Sequence, residues 1–431
     1  MDGTTLLKFF LTLLNWPLFF RSSRLSHLAS NQGFSYVKHL TLRFVLTLVL
    51  THLPAVSAAP VPAGPMTPPA PQLHAKSWVL MDAASGDVLA SHDENEHLPP
   101  ASLTKLMTVY VATNEIQGGR LRSDDEVTVS ENAWHTEGSR MFLDPQSKVA
   151  IHDLLRGIVI DSGNDASVAL AEHIAGDQSS FAGLMNVTAN RLGLNDTHFM
   201  NPTGLPAPEH YSSALDMAKL ARAIINDESA YYSLYKQKHF TWNGIRQPNR
   251  NLLLWRDESV DGLKTGHTEA AGYCMVTSAM RDGHRLITAV FGSTSMKNRA
   301  NDAEKLLSYG FRFFDTQTYV KAGQALSEPI LWKGVDRTVP VGSLDDISLT
   351  LPKDRNRKVD VRVKIDHPLV APLAMGTIVG SLDIYDGDKK LATRPLISLE
   401  EAPAGGWWKR AWDALHLFFL NMLGTENSLY K

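Results

Sequence analysis

Ser102 and Lys105 stand three residues apart at the head of the apolar run Ser102 to Ala112. If that run is helical, the two side chains face the same side. A serine hydroxyl is a weak nucleophile that needs a base. An amine one turn away can be that base once its proton has been driven off. Ser-x-x-Lys alone occurs by chance in most proteins. Here two further groups follow in order, Ser162-Gly163-Asn164 and Lys264-Thr265-Gly266. Acyl transfer needs a nucleophile, a base, donors for the oxyanion and a clamp for the substrate. The three groups together could supply them.

Each residue type suits one of those tasks. Lys105 must lose its proton, yet a free lysine has a pKa of about 10.4. Burial and a second nearby cation both lower it. The apolar run predicts the burial, and Lys264 is the expected second charge. Ser162 can pass a proton between Lys105 and a leaving amine. Asn164 offers an amide to hold a substrate backbone or to orient the lysine. Lys264 and Thr265 can bind an anionic group, and Gly266 lets a substrate backbone come close. Plainer readings exist for each residue alone. Lys105 could be a surface lysine, although its apolar surroundings argue otherwise. Ser162 and Asn164 favour cap positions for a helix from Asp165 onward, and both roles are expected of them. Lys264-Thr265-Gly266 could be a simple strand-edge turn. Cys274, in a strand pattern, reads as packed core.

The elements that must hold these groups follow from periodicity. Ser77 to Asp82 and Val88 to Ala90 read as a β-hairpin with Gly86 in its turn. Pro99-Pro100-Ala101 leads into the run Ser102 to Ala112, which is apolar nearly all round and predicts a buried central helix. Residues 150–195 and 214–226 repeat apolar positions at helical spacing. Tyr273 to Ala279 and Arg285 to Phe291 read as strands joined at Arg281-Asp282-Gly283. Ala300 to Phe314 reads as a helix. From about residue 320 the texture becomes that of strands. Val359, Val361, Val363 and Ile365 alternate with polar residues, and two further strands flank Asp386-Gly387.

Composition sets the outer limits. The chain has 431 residues, 44% hydrophobic and 20% charged, with a net charge of -3. That is ordinary for a globular protein of two or more domains and gives no basic field for nucleic acid. The single Cys274 excludes an intramolecular disulfide and a multi-cysteine metal site. No metal and no cofactor is expected. Lys38 and Arg43, the apolar run Phe44 to Leu50 and the small residues up to Ala58 read as an export signal cleaved after Ala58. The stretch before it, residues 1–36, is long for a leader and is interrupted by Pro17. It is expected to be an over-extended reading frame, with translation starting near Val37. Residues 59–74 are rich in Pro and Ala and read as a linker. At the other end, Trp408, Trp412, Leu415, Phe419 and Met422 form an apolar stripe among charged residues. Such a helix, over residues 404–424, is expected to lie in a membrane interface rather than cross the bilayer. The plain alternative is a terminal helix docked on the protein or on a partner.

Penicillin-recognising serine enzymes carry Ser-x-x-Lys, Ser-Asp-Asn and Lys-Thr-Gly in this order. This chain has Gly163 in place of the Asp. With its flanks, it closely resembles the serine-type D-alanyl-D-alanine carboxypeptidases, the low-molecular-mass penicillin-binding proteins of peptidase family S11. The resemblance rests on Pro100-Ala101-Ser102-Leu103-Thr104-Lys105, Ser162-Gly163-Asn164-Asp165-Ala166, Asp261-Gly262-Leu263-Lys264-Thr265-Gly266-His267-Thr268 and Gly310-Phe311-Arg312-Phe313-Phe314. It covers about residues 75–423.

The resemblance implies a fold, a reaction and further roles. The fold would be an α/β penicillin-recognition domain, residues 75–319, with an antiparallel sheet from the 76–90 and 262–292 segments and helices on both sides. A small all-β domain, residues 320–400, and the amphipathic helix would follow. Ser102 would be acylated by the penultimate D-alanine of a peptidoglycan stem peptide, releasing the last one, and water would free the enzyme. Backbone N–H groups of Ser102 and His267 would hold the oxyanion, and Arg299 would help to hold the terminal carboxylate. β-Lactams would acylate Ser102. The terminal helix would tether the enzyme to the outer face of the inner membrane.

Three rival functions share parts of this pattern. A β-lactamase needs a dedicated deacylating base, such as the glutamate of the class A enzymes, and no Glu-x-x-Leu-Asn element lies between the second and third groups. A non-catalytic wall-binding protein would not need Ser102, Lys105 and Lys264 intact. Endopeptidase action on cross-links differs only in its leaving group.

Overall fold

The computed structural model describes residues 67–227, 229–353 and 358–423. The export signal, the start near Val37 and the linker before residue 67 lie outside the described residues. Residues 68–75 are held against the body of the protein. Ala70, Leu73 and Ala75 pack on a hydrophobic core, and the Pro68 carbonyl accepts from the Tyr309 hydroxyl at 2.9 Å.

Strand β1 (Ser77–Asp82) is buried along its whole length and pairs with β2 (Val88–His92). The chain then makes a 3-10 turn, Ala101–Thr104, and enters helix α1 (Lys105–Gln117). This corrects the expected single helix from Ser102. Pro99 and Pro100 precede the turn, and Ala101 adopts a left-handed φ of 46°, so the chain reaches α-helical geometry only at Lys105. The change helps the chemistry, because residues three apart in a 3-10 turn eclipse one another.

Helix α2 (Ile151–Arg156) runs into a π turn, Gly157–Asp161, followed by α3 (Asn164–Ala175), α4 (Gln178–Arg191) and α5 (Ala214–Asp227). Strands β3 (Val260–Thr268), β4 (Gly272–Arg281) and β5 (His284–Ser293) complete an antiparallel sheet of order β2-β1-β5-β4-β3. Lys264, Thr265 and Gly266 therefore lie on an edge strand. The β4–β5 turn falls at Asp282 and Gly283, both with positive φ, as the Asp-Gly signal predicts.

Alternation along the strands builds two cores, one on each face of the sheet. Val79, Met81, Ile287, Ala289 and Phe291 face α1 to α5. Trp78, Leu80, Leu286 and Val290 face the other way, onto Ala300, Ala303, Leu306 and Leu307 of α6 (Met296–Phe313). Burying such a side chain contributes roughly 1.5–3 kcal/mol. The central strands are thus fixed firmly enough to carry the edge strand.

A third core belongs to the all-β domain that follows. Strand β6 (Phe314–Val320) continues from α6. Strand β7 (Val341–Gly342) joins a four-stranded sheet, whereas β8 (Ile347–Pro352) pairs with β6. With β9 (Val359–Ile365), β10 (Ile378–Asp386) and β11 (Lys389–Ser398), the four-stranded order is β7-β11-β10-β9. Hydrogen bonds tie this domain to the first hairpin: Thr316 Oγ1 donates to Asp82 at 2.7 Å and the Thr350 amide donates to Asp87 at 3.1 Å.

Helix α7 (Trp407–Leu423) ends the described chain. It docks through its polar side. Asp413 accepts from the Lys333 amide at 2.6 Å, Lys409 donates to the Val335 carbonyl at 3.0 Å, and His416 meets the Trp332 ring edge-on. Trp408 and Trp412 are 71% and 67% exposed, and Leu415, Phe419 and Met422 are exposed beside them. The helix does contact the protein, but through polar groups, and its apolar stripe stays exposed. Among the described residues, no helix is long and apolar enough to cross a membrane.

Candidate active site

The nucleophile turn is held between two glycine-bearing segments. Gly204 has a φ of 84°, and a Cβ there would stand 1.8 Å from the Ala101 carbonyl oxygen. Only glycine can adopt that conformation without cost and let the loop lie against Ala101. On the other side, a Cβ on Gly266 would meet Pro100 O at 3.0 Å and Ser102 N at 3.2 Å. The edge strand thus runs beside the Ser102 amide.

Lys105 is fully buried. Its Nζ lies 3.1 Å from Ser102 Oγ, 2.7 Å from Asn164 Oδ1 and 2.5 Å from the Thr203 carbonyl. Two of these partners can only accept. A neutral amine has two hydrogens and one lone pair. The hydrogens satisfy Asn164 and Thr203, and the lone pair is left facing the Ser102 hydroxyl. Burial pushes the Lys105 pKa down to about 7; Arg250 adds to the shift and Asp165 opposes it. Taking 10.5 to about 7 means that the site disfavours the ammonium, relative to a lysine in water, by on the order of 5 kcal/mol. Arg250 is thus a second cation acting on Lys105, and the mutual repulsion with the expected Lys264 lowers the pKa of Lys264. Arg250 is partly open to solvent and donates to Ser139 Oγ at 2.7 Å.

Ser162 leaves the π turn in the left-handed conformation, with φ 62°. A non-glycine residue there is strained, and such strain gathers at functional sites. Its Oγ lies 3.0 Å from Lys264 Nζ. Neither Ser162 nor Asn164 caps α3, which corrects that expectation. The cap position is Gly163, with no side-chain hydrogen bond. Gly163 itself is crowded, since a Cβ there would stand 2.9 Å from Asp165 Oδ1 and 3.1 Å from the Met141 amide. Asp165 instead accepts from the amides of Met141, Phe142 and Leu143. Asn164 spans the site, with Oδ1 on Lys105 and Nδ2 donating to the Glu137 carbonyl.

Lys264 is buried, and it also donates to the Thr265 carbonyl at 3.1 Å. Burial lowers its pKa well below the ordinary value, and Lys105, Arg250 and Arg299 add to this while Asp161 opposes it. Thr265 is buried beside it. The exposed His267 ring lies against Tyr273, with centroids 4.1 Å apart. Arg299 is buried, and its Nη1 donates to the Gly266 carbonyl at 3.0 Å. Its pKa is lowered to about 10, chiefly by burial. In this arrangement Arg299 props the edge strand at Gly266 and brings a positive charge close to it.

All nine residues singled out from sequence fall in or directly against one cleft. Arg250, Thr203 and Gly204 were not found from sequence. Arg250 stands in the polar run Asn249-Arg250-Asn251 with no spacing to mark it. Thr203 acts through a backbone carbonyl, which any residue supplies. Gly204 is the one with a usable signal, a Thr-Gly step after Pro202.

Residues 65–295 match a family model described as D-alanyl-D-alanine carboxypeptidase. Residues 314–404 match the C-terminal domain of penicillin-binding protein 5. The chain is 42% identical to the D-alanyl-D-alanine carboxypeptidase DacC of Escherichia coli (strain K12), over 84% of this chain and 93% of that one. It is 39% identical to DacA of Haemophilus influenzae, over 87% and 96% of the two chains. Among solved structures, penicillin-binding protein 5 from Haemophilus influenzae aligns with a TM-score of 0.73 at 41% identity, covering 77% of this chain and 98% of that one. An ampicillin-bound penicillin-binding protein D2 from Listeria monocytogenes aligns with a TM-score of 0.52 at 27% identity, over 56% and 100%.

Proposed function

The chain belongs to the D-alanyl-D-alanine carboxypeptidase family, and from that premise we propose how its residues remove the terminal D-alanine of a peptidoglycan stem peptide. Lys105, as the free amine, takes the Ser102 proton. Oγ attacks the carbonyl carbon of the penultimate D-alanine. The N–H groups of Ser102 and His267 hold the oxyanion. The C–N bond breaks, and the departing amine receives the proton that Lys105 took, relayed by the Ser162 hydroxyl that Lys264 holds at 3.0 Å, so that Lys105 is neutral again. Lys264 and Thr265 hold the terminal carboxylate, with Arg299 behind them. Asn164 fixes the Lys105 rotamer and the near side of the substrate backbone. Water then gives its proton to Lys105 and its hydroxide to the acyl carbon, and Ser102 is restored. β-Lactams enter by the same acylation.

One observation carries this reading. A fully buried lysine nitrogen stands 3.1 Å from a serine hydroxyl, beside two pure acceptors that take the two hydrogens a neutral amine has. The purified protein is expected to release D-alanine from a D-Ala-D-Ala pentapeptide and to release penicillin slowly. Rapid, sustained hydrolysis of benzylpenicillin without D-alanine release would assign it to the β-lactamases instead. Release of cross-linked peptide at a comparable rate would add endopeptidase action.

The domain roles extend the proposal. The catalytic domain ends with α6 at Phe313 and not at the expected residue 319, because β6 pairs within the all-β domain, and residues 314–404 form a spacer that lifts the cleft toward the wall. Helix α7 lies on the outer surface of the inner membrane, reached by the export signal that ends at Ala58. The support is the docking of α7 by its polar side, which leaves its aromatic stripe in water unless a lipid interface covers it. Truncation after Ala404 is expected to move the protein from the membrane pellet to the soluble fraction with D-alanine release retained. Continued sedimentation with membranes would refute the anchor.

A further inference from the structure

Asp161 closes the π turn that delivers Ser162 to the cleft. It is 1% exposed, and its Oδ1 has no hydrogen-bond partner. A buried carboxylate without donors is costly to keep ionised. Asp165 is the contrast: it is equally buried but accepts from three backbone amides of residues 141–143. Asp161 has no such support.

The charges acting on Asp161 come from three sides. Arg250, before β3, and Lys264, on β3, favour its ionised form, and Asp165, on α3, disfavours it. Lys105, on α1, is held by Asn164 and Thr203. On α2, Asp153 engages His152 and Arg156. His239 and Arg246, on the hairpin packed against the turn, are exposed. Arg250 and Lys264 are thus the cations that Asp161 shares with the cleft. Burial, countered by Arg250, places its pKa at about 7.

We propose that Asp161 takes up a proton when the substrate's terminal carboxylate reaches Lys264, so that peptide binding is coupled to protonation of this carboxyl. The inference rests on the reading of Lys264 and Thr265 as the carboxylate clamp. An arriving anion competes with Asp161 for Lys264. Of the two buried carboxyls, the one without hydrogen bonds gives up its charge. The proton comes from solvent, and no bond of the peptide changes. Above neutral pH the enzyme must therefore bind proton and peptide together, and affinity falls as protons become scarce.

The test is kcat and KM for a D-Ala-D-Ala pentapeptide from about pH 6 to about pH 9, in the full chain and in Asp161→Asn. The full chain is expected to show KM rising roughly tenfold above neutrality, the effect of a one-unit rise in the Asp161 pKa on binding. In Asp161→Asn that rise is lost. A rise that persists in the variant, or moves to lower pH, belongs to Lys264 and overturns the proposal. A fall in kcat with unchanged KM would make Asp161 a base in the reaction and would also overturn it. Net proton uptake on adding the same peptide to Ser102→Ala near pH 7 is the second measurement and needs no folded Asp161 variant. Absence of uptake overturns the proposal. Failure of the full chain to release D-alanine refutes the functional reading itself. D-alanine release with a pH-independent KM refutes only the role of Asp161.

Discussion

Ser102→Ala is expected to abolish D-alanine release, with a loss in kcat on the order of 10^6-fold, as for removal of the nucleophile in other acyl-transfer enzymes. The substitution removes one oxygen from a turn fixed by backbone contacts to Gly204 and Gly266, so the cleft itself should survive. Lys105 keeps Asn164 and Thr203 as partners. Noncovalent peptide binding should therefore persist while penicillin no longer attaches. A release rate within tenfold of the unaltered enzyme would remove Ser102 from the mechanism.

The second large effect concerns Lys105. Lys105→Met keeps the length and the packing of the side chain but has no lone-pair nitrogen, and acylation should fall by on the order of 10^3–10^4-fold. Lys105→Arg should fare no better, because a guanidinium stays protonated. The pH dependence carries the sign. Protonated Lys105 cannot accept the Ser102 proton, so acylation of the unaltered enzyme should rise about tenfold per pH unit below the Lys105 pKa and level off above about pH 7. A limb that levels off only near pH 10 would mean that burial does not neutralise the lysine.

The parts of this site that could be read from sequence are those made of side chains in local patterns. Three motifs with their flanks located Ser102, Ser162 and Lys264. Alternation and Asp-Gly turns located the sheet that carries them. What escaped was of another kind. Lys105 leans on a carbonyl of Thr203 that is 98 residues away in the chain, and carbonyls leave no mark in a sequence. The 3-10 turn and the π turn share their apolar pattern with ordinary helix, so Ser102 was read as helical and Ser162 as a cap. Arg250 was missed for want of any periodic context, so only Lys264 was expected as a cation near Lys105, whereas both act on the site. Helix α7 has the expected stripe, but amphipathicity alone does not say which face docks. The contacts of Lys409 and Asp413 with residues 333–335 decide it.

The account depends most on covalent chemistry at Ser102. Digestion and mass spectrometry after exposure to a labelled penicillin test it directly. A single adduct is expected, on Ser102, with none on Ser162 and none after Ser102→Ala. An adduct on any other residue, or inhibition of D-alanine release with no adduct at all, would contradict it.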